Sequence, residues 1–258
     1  MSPSHTGALA RAIRELGRAL AATTPAPRGL PYLGLERASP TGAHLLDALS
    51  TRGIFRKYEL VLELGAGLGG TARWLAAWLG CDVVGTAACA AEAAAATELA
   101  RPTGVATQVR FVPARPDALP FRDARFTHVW IVEALAAVPD PGAALAEAHR
   151  ALRPGGTIAV QELVARTDGE IDVAGRRFAT ADACAARLAT AGFVELDYRD
   201  RTADRAERSS RVAAARAQLL RRLAADGLGP LVAERVALEA ALDDGRLGVA
   251  QLVGRRAP

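Results

Sequence analysis

An acidic residue near the end of an apolar run, followed at once by a glycine-rich turn, is the feature of this sequence best suited to chemistry. Glu63 is the only charged residue of the run 60–64, and glycines follow at positions 65, 67, 69 and 70. Residues 71–79 place tryptophan and leucine at helical spacing, which predicts a strand, a tight turn and a helix. Gly65 and Gly67 allow positive φ and close approach of a ligand. The free N–H groups at the start of the helix then face that ligand.

The acid narrows the choice of ligand. Related glycine turns bind dinucleotides, but the carboxylate of Glu63 repels phosphate and suits a cationic amine or sulfonium. The run LELGAGLGGTARWLA, residues 62–76, resembles the first motif of class I S-adenosylmethionine (SAM) methyltransferases. It is most similar to the small-molecule branch that includes the sarcosine/dimethylglycine and ubiquinone/menaquinone C-methyltransferases. The resemblance implies SAM as the cofactor, held by Glu63, Gly65, Ala66, Gly67 and Gly69.

The elements that position this turn alternate along the chain. Strands are predicted at 81–86, 108–112, 126–132, 157–163 and 193–199, with helices at 90–100, 141–152 and 180–191. Such alternation indicates an α/β fold with a parallel sheet. The resemblance runs from about Leu30 to the end of the chain. It implies a doubly wound, Rossmann-like, mostly parallel sheet of seven strands, closed by a C-terminal antiparallel edge strand at 247–253.

Four segments are predicted: an N-terminal helical lid (1–50), the Rossmann-like core (51–200), a helical cap insertion (201–245) and the closing strand of the core (246–258). The lid begins with an amphipathic helix at 6–22, which places Leu9, Ile13, Leu16 and Leu20 on one face. Helices at 203–225 and 230–242 form the insertion. By the resemblance, both helical segments cover the cofactor and shape the substrate pocket, although the insertion could instead form a dimer contact.

Two cofactor positions depart from the resembled family. The acid that accepts hydrogen bonds from the ribose is absent after the second strand, where Thr86 is followed by Ala87. Asp82 lies at the wrong end of that strand and Glu92 about one turn into the next helix, so neither is expected to replace it. The usual adenine-binding acid is replaced by Arg115, before Pro116; arginine donates hydrogen bonds and accepts none, but it can stack on a ring.

The segment after the fourth strand also departs from the family. Val132 is expected beside the cofactor, and Glu133 follows it, but alanine stands at 136 and 137, where the branch often has a histidine base. The remaining candidates for a catalytic base are Glu133, His44 in the lid and Glu162 at the end of the fifth strand, where ligands bind in α/β sheets.

These departures leave several functions open. Each lost hydrogen bond to a charged acceptor weakens binding by about 1.5–3 kcal/mol, whereas the glycine turn is intact. One interpretation is a SAM-dependent methyltransferase that acts on a small molecule, in secondary metabolism. The alternatives are a methyltransferase-fold natural-product enzyme that works without SAM, of the cyclase type, and a non-catalytic partner subunit.

Composition limits the partners. The chain has 258 residues, half of them hydrophobic, a net charge of +4 and three cysteines without CxxC spacing. These features predict a reduced, cytoplasmic protein without a signal peptide or membrane span. No histidine pair has metal-ligand spacing. The modest net charge does not imply nucleic acid, and the basic run 199–222 lacks aromatic residues, which argues against single-stranded nucleic acid. The run indicates a solvated face or a dock for an anionic or carrier-bound substrate. A homodimer is a further possibility.

Overall fold

A seven-stranded sheet forms the centre of the computed structural model, which describes residues 3–21, 32, 35–37, 39–52 and 59–258, without the side chains of residues 3, 4, 20 and 21. The strands of the chain are β1 (Leu60–Leu64), β2 (Asp82–Ala87), β3 (Val109–Pro113), β4 (Phe126–Val132), β5 (Leu152–Ala165), β6 (Ile171–Val173), β7 (Arg176–Phe178), β8 (Phe193–Asp200) and β9 (Leu247–Arg256). The helices are α1 (Pro3–Ala21), α2 (His44–Ser50), α3 (Gly70–Leu79), α4 (Ala90–Ala100), α5 (Pro141–Ala151), α6 (Ala181–Thr190), α7 (Ser210–Ala225) and α8 (Gly229–Asp243).

The strand order in the sheet is β3-β2-β1-β4-β5-β9-β8. Strands β1 to β5 pair in parallel, whereas β9 is antiparallel to both β5 and β8. The predicted fold class, a seven-stranded and mostly parallel sheet with a C-terminal antiparallel strand, is confirmed. The chain reverses its order between β1 and β4, and ligands of open α/β sheets bind at such a switch point.

The predicted position of the last strand was wrong. β9 lies inside the sheet, and β8 forms the edge. Residues 247–254 are buried without interruption, while most of β8 is exposed. The reason is composition: β9 is largely apolar and must be covered on both faces, whereas charged residues alternate along β8 and tolerate an edge.

Two further elements differ from the sequence expectation. β5 runs to Ala165 because it pairs with β9 as far as Leu247, so Glu162 is not at its end. β6 and β7 form a hairpin that the sequence analysis did not predict. Its two-residue turn, Ala174 and Gly175, has φ of 55° and 77°, as tight hairpin turns of the primed types require.

The helical segments pack against each other above the sheet. Leu9, Ile13 and Leu16 of α1 are buried in a cluster with residues of α7, as the amphipathic pattern predicted; the side chain of Leu20 lies outside the described part. α7 begins at Ser210, later than expected, because the side chain of Ser209 caps it by accepting from the N–H of Val212. None of the described helices is long and apolar enough to cross a membrane.

Candidate active site

A cavity of about 510 Å³ opens at the carboxyl ends of β1, β2 and β4. Its volume falls in the range of small-molecule sites. The carboxyl ends of the parallel strands and the loops that follow them form one wall, and α1, α7 and α8 form the opposite wall. Both cap helices turn the same pattern inward, with cavity-lining residues at i, i+3, i+4 and i+7: Arg216, Leu219, Leu220 and Leu223 on α7, and Leu231, Glu234, Arg235 and Leu238 on α8.

The glycine turn after β1 lies on the cavity wall. The N–H of Gly65 donates to Thr86 Oγ1 at 2.9 Å, and the N–H of Ala66 donates to the Thr86 carbonyl at 2.8 Å. Gly67 has φ of 54°, and a Cβ there would meet no atom within 4 Å, so its backbone faces open space. Gly69 differs, because a Cβ there would lie 2.2 Å from the ring of Phe111. Gly69 therefore serves packing and does not line the cavity, whereas Gly65, Ala66 and Gly67 do.

Glu63 places a buried carboxyl group beside this turn. The residue is 3% exposed, and its Oε2 has no hydrogen-bond partner among the described residues. Burial raises the pKa of Glu63 to about 8, although the positive charges of Arg73 and Arg37 and hydrogen bonds from Thr71 and Ala72 act in the opposite direction. A bound cation would therefore favour the ionised form of this carboxyl group.

Glu92 lines the cavity at the carboxyl end of β2, contrary to the expectation that it lies too far into the helix. Its Oε2 accepts the N–H of Ala88 at 2.7 Å. Cys89 is the N-cap of α4 and makes no side-chain cap, so Glu92 stands at N3. Its carboxylate reaches back to Ala88, one residue before the N-cap that a capping box uses. The signal available in the sequence was an acid in the first turn of the predicted helix. Asp82, by contrast, is exposed at the amino end of the strand.

The wall after β3 is formed by Ala114, Arg115 and Pro116. The guanidinium of Arg115 is bonded to Asp117, with Nε and Nη2 at 3.0 and 2.7 Å from the carboxylate oxygens. The arginine is thus held at an exposed rim, and the residues beside it offer apolar surface.

Glu133 follows β4 and Val132, and both residues line the cavity. Its Oε1 accepts hydrogen bonds from Ser39 Oγ at 2.7 Å, Thr41 Oγ1 at 2.7 Å and Gln161 Nε2 at 2.9 Å. Oε2 has no hydrogen-bond partner among the described residues. Glu133 also has φ of 54°, a conformation that costs about 1–3 kcal/mol for a residue other than glycine and is frequent at functional sites.

The other two candidate bases have different partners and do not line the cavity. Nε2 of His44 lies 2.8 Å from the carbonyl oxygen of Asp204. Glu162 is buried below the cavity, where its two oxygens accept the N–H groups of Leu135 and Leu163 at 2.7 and 3.1 Å. Glu162 therefore fixes the short turn that follows Glu133, through its bond to Leu135. It lies away from the cavity because β5 continues beyond it to Ala165.

Arg37, Arg176, Arg216 and Arg235 also line the cavity. Arg216 belongs to the basic run 199–222, which was predicted to be a solvated face or a dock for an anionic substrate, whereas the other three were not predicted as site residues. Arg176 arrives on the unpredicted β6–β7 hairpin, and its Nη2 donates to the Glu133 carbonyl at 3.3 Å. For α7 and α8, the alternation of leucine and arginine at helical spacing was the available signal.

Part of this chain is similar to known methyltransferases. Residues 62–160 match a family model described as a methyltransferase domain. "Methyltransferase GfsG" of Streptomyces halstedii is 34% identical over 132 residues, which cover 51% of this chain and 48% of that protein. "Sarcosine/dimethylglycine N-methyltransferase" of Halorhodospira halochloris is 35% identical over 96 residues, which cover 37% and 34%. The match thus spans about half of the first relative and a third of the second.

A solved structure extends the likeness over nearly the whole chain. The structure of "the [4+2]-Cyclase SpnF" superimposes with a TM-score of 0.71 at 23% identity and covers 90% of this chain and 98% of that one. At this identity the likeness establishes the fold.

Proposed function

We propose that this chain transfers the methyl group of SAM to a small molecule, because residues 62–160 match a methyltransferase domain and nearly the whole chain shares the fold of the SpnF structure. The observation that carries this proposal is the buried acceptor Oε2 of Glu63, next to the open backbone of Gly67. The proposal includes a role in natural-product biosynthesis, because a structure named as a [4+2]-cyclase has the same fold.

The residues around the cavity fit SAM. Gly67 leaves space for close approach of a ligand, and Glu63 supplies an acceptor for the cationic amino acid end. Glu92 supplies a carboxylate near the position that the missing ribose acid would occupy. The adenine position fits less well, since Ala114 and Pro116 offer apolar contact and Arg115 is held by Asp117.

SAM, when bound, supplies an electrophilic sulfonium methyl group for in-line attack. The chain contributes mainly proximity and orientation. Glu133 is our proposed base: Ser39, Thr41 and Gln161 fix one carboxylate oxygen, and the other oxygen remains available to accept a proton from the substrate nucleophile. Gln161 is itself held by Gln251, whose Nε2 donates to the Gln161 side-chain oxygen at 2.9 Å.

Calorimetric titration with S-adenosylhomocysteine (SAH) tests the cofactor assignment. We expect SAH to bind the wild type, and Glu92→Gln to weaken binding by about 10- to 150-fold, the value of one hydrogen bond to a charged acceptor. Glu98→Gln is the matched control, because Glu98 is exposed on the same helix and paired with Arg101. Absence of SAH binding at millimolar concentration would contradict the proposed function; equal binding by Glu92→Gln would contradict only the ribose role.

A second candidate is a SAM-independent natural-product enzyme of the cyclase type. Ala87 at the ribose position and the engaged Arg115 favour it, and the likeness to the SpnF cyclase supports it. In that case wild-type SAH binding is absent, and Ala87→Asp together with Arg115→Asp is needed before binding appears.

The four-segment division, a cytoplasmic location and a possible homodimer stay predictions. Limited proteolysis, cell fractionation and sedimentation velocity would check them.

A further inference from the structure

Arg37 is a buried cation without a hydrogen-bond partner in the described part of the chain. It is 5% exposed, and Nε, Nη1 and Nη2 all lack a hydrogen-bond partner among the described residues. The adjacent acid, Glu36, forms its ion pair with Arg73, at 3.6 Å between Oε1 and Nη2, and not with Arg37. Isolated buried charges are costly and are normally paired. An unpaired guanidinium that lines a cavity therefore indicates that the cavity receives an anion.

Two more arginines converge on the same region from the cap helices. Burial lowers the pKa of Arg216 to about 10, and the positive charges of Arg235 and Arg37 act in the same direction. Arg216 Nη2 donates to the Thr41 carbonyl at 3.1 Å, and an Nη2 bond from Arg235 to the Ser39 carbonyl holds the neighbouring loop. The two bonds hold Arg216 and Arg235 against residues 39 and 41, within four residues of Arg37, so the three arginines form one cluster.

Acids pair with the other arginines that line this cavity. Arg216 has Glu207 at 3.8 Å, Arg235 has Glu239 at 2.8 Å, and Arg176 has Glu234 at 3.3 Å. Glu133 is the acid that most strongly opposes the lowered pKa of Arg37, yet its bonded oxygen faces Ser39, Thr41 and Gln161. After these pairs are formed, Arg37 keeps three unbonded guanidinium nitrogens and Arg216 keeps an unbonded Nε, counted among the described residues.

The same helices that carry Arg216 and Arg235 present leucine to the cavity. Leu219, Leu220 and Leu223 follow Arg216 on α7, and Leu231 and Leu238 flank Arg235 on α8. Leu9 and Ile13 of α1 extend this apolar wall. A molecule in the cavity, between the carboxyl ends of the strands and helices α7 and α8, thus meets positive charge beside Glu133 and apolar surface along the helices.

We propose that the substrate of this cavity is an amphiphile, with an oxyanion head bound by Arg37 and Arg216 and an apolar body against the leucines of α7 and α8. The inference rests on the proposed function, because it assigns the substrate class of the same site. Guanidinium groups bind carboxylate and phosphate oxygens in a forked geometry, so either group satisfies the head.

Three probes with one chain length test the proposal: decanoate, decyl phosphate and decanol, each titrated calorimetrically into the full-length protein. We expect at least one of the two anions to bind about tenfold or more tightly than decanol, from one charged hydrogen bond. Comparison of the anions identifies the head group. Arg37→Gln and Arg216→Gln should each lower anion affinity by about tenfold or more and leave decanol binding unchanged.

Arg221→Gln is the matched control, because Arg221 is exposed on the outer side of α7, and it should bind all three probes as the wild type does. Equal affinity for anions and decanol, or anion binding unaffected by both cavity variants, would overturn the proposal. SAH titration of Arg37→Gln separates a rival role: unchanged SAH affinity supports substrate binding, whereas loss of SAH affinity assigns Arg37 to the cofactor carboxylate and overturns the substrate role. If SAH binds neither the wild type nor the variants while the anions bind as expected, the methyltransferase proposal fails and the anion site stands.

Circular dichroism and thermal unfolding of the three arginine variants check that they fold. Arg37→Gln should unfold at a temperature equal to or above that of the wild type, since it removes an unpaired buried charge. A large fall in that temperature for Arg37→Gln would indicate a structural ion pair and count against the proposal.

Discussion

Gly67→Arg is expected to abolish SAH binding, the largest effect of any single substitution in this cavity. The backbone at Gly67 faces open space on the cavity wall, so a long side chain there occupies the volume that the ligand needs. Loss of close backbone approach removes the principal advantage of glycine at this position. Calorimetry should detect no binding at SAH concentrations about a hundred times the wild-type dissociation constant, which corresponds to a loss above about 2.7 kcal/mol.

Gly80→Arg is the matched control for this substitution. Gly80 ends α3 with φ of 69°, and a Cβ there also meets no atom within 4 Å. Both variants therefore impose the strain of a left-handed conformation on arginine, at about 1–2 kcal/mol, but only one fills the cavity. Equal SAH affinity of Gly67→Arg and wild type would show that the ligand lies elsewhere.

SAH affinity should rise with pH between about 6 and 8, by up to tenfold per pH unit, and level off above the pKa of Glu63. The pKa of this buried carboxyl is raised to about 8, so the group is protonated at lower pH and must lose its proton to accept from a cationic amine. Glu63→Gln should bind SAH weakly and with a smaller pH dependence. Calorimetric titrations at half-unit pH intervals, in two buffers with different protonation enthalpies, measure both the affinity and the proton release.

Glu162→Gln is the control for the pH experiment. Burial also raises the pKa of Glu162, to about 7, but this residue does not line the cavity. In Glu162→Gln the SAH affinity should rise with pH as steeply as in the wild type. If this rise is lost in Glu162→Gln, the pH dependence reflects general unfolding and not the ionisation of Glu63.

The same raised pKa predicts an effect on stability without ligand. Since folded Glu63 binds its proton more tightly than the unfolded chain does, the free energy of unfolding falls as the pH rises from about 4.5 to about 8. Glu63→Gln should remove this contribution, so the variant should lose less stability across that window in urea unfolding. An identical pH profile for variant and wild type would show that Glu63 is already ionised in the folded protein.

The sequence by itself determined the sheet and the glycine turn, because both depend on local patterns. Apolar strands alternate with capped helices, and glycine at 65, 67 and 69 adopts positive φ in the structure. The buried acid at 63 was likewise visible as a charge in an apolar run. Such features are set by neighbours in the chain, so periodicity and residue type are sufficient to find them.

The tertiary structure alone decided which distant side chains meet at the cavity. Glu92 reaches it by folding back on Ala88, Arg37 arrives on the segment before α2, and Arg176 arrives on a hairpin of two three-residue strands. Glu162 and His44 were expected there but are drawn to backbone partners. Apart from Glu92, whose contact with Ala88 is local, these placements could not be read from spacing. Burial and long-range hydrogen bonds fix the direction of the other side chains, and both depend on residues far away in the chain.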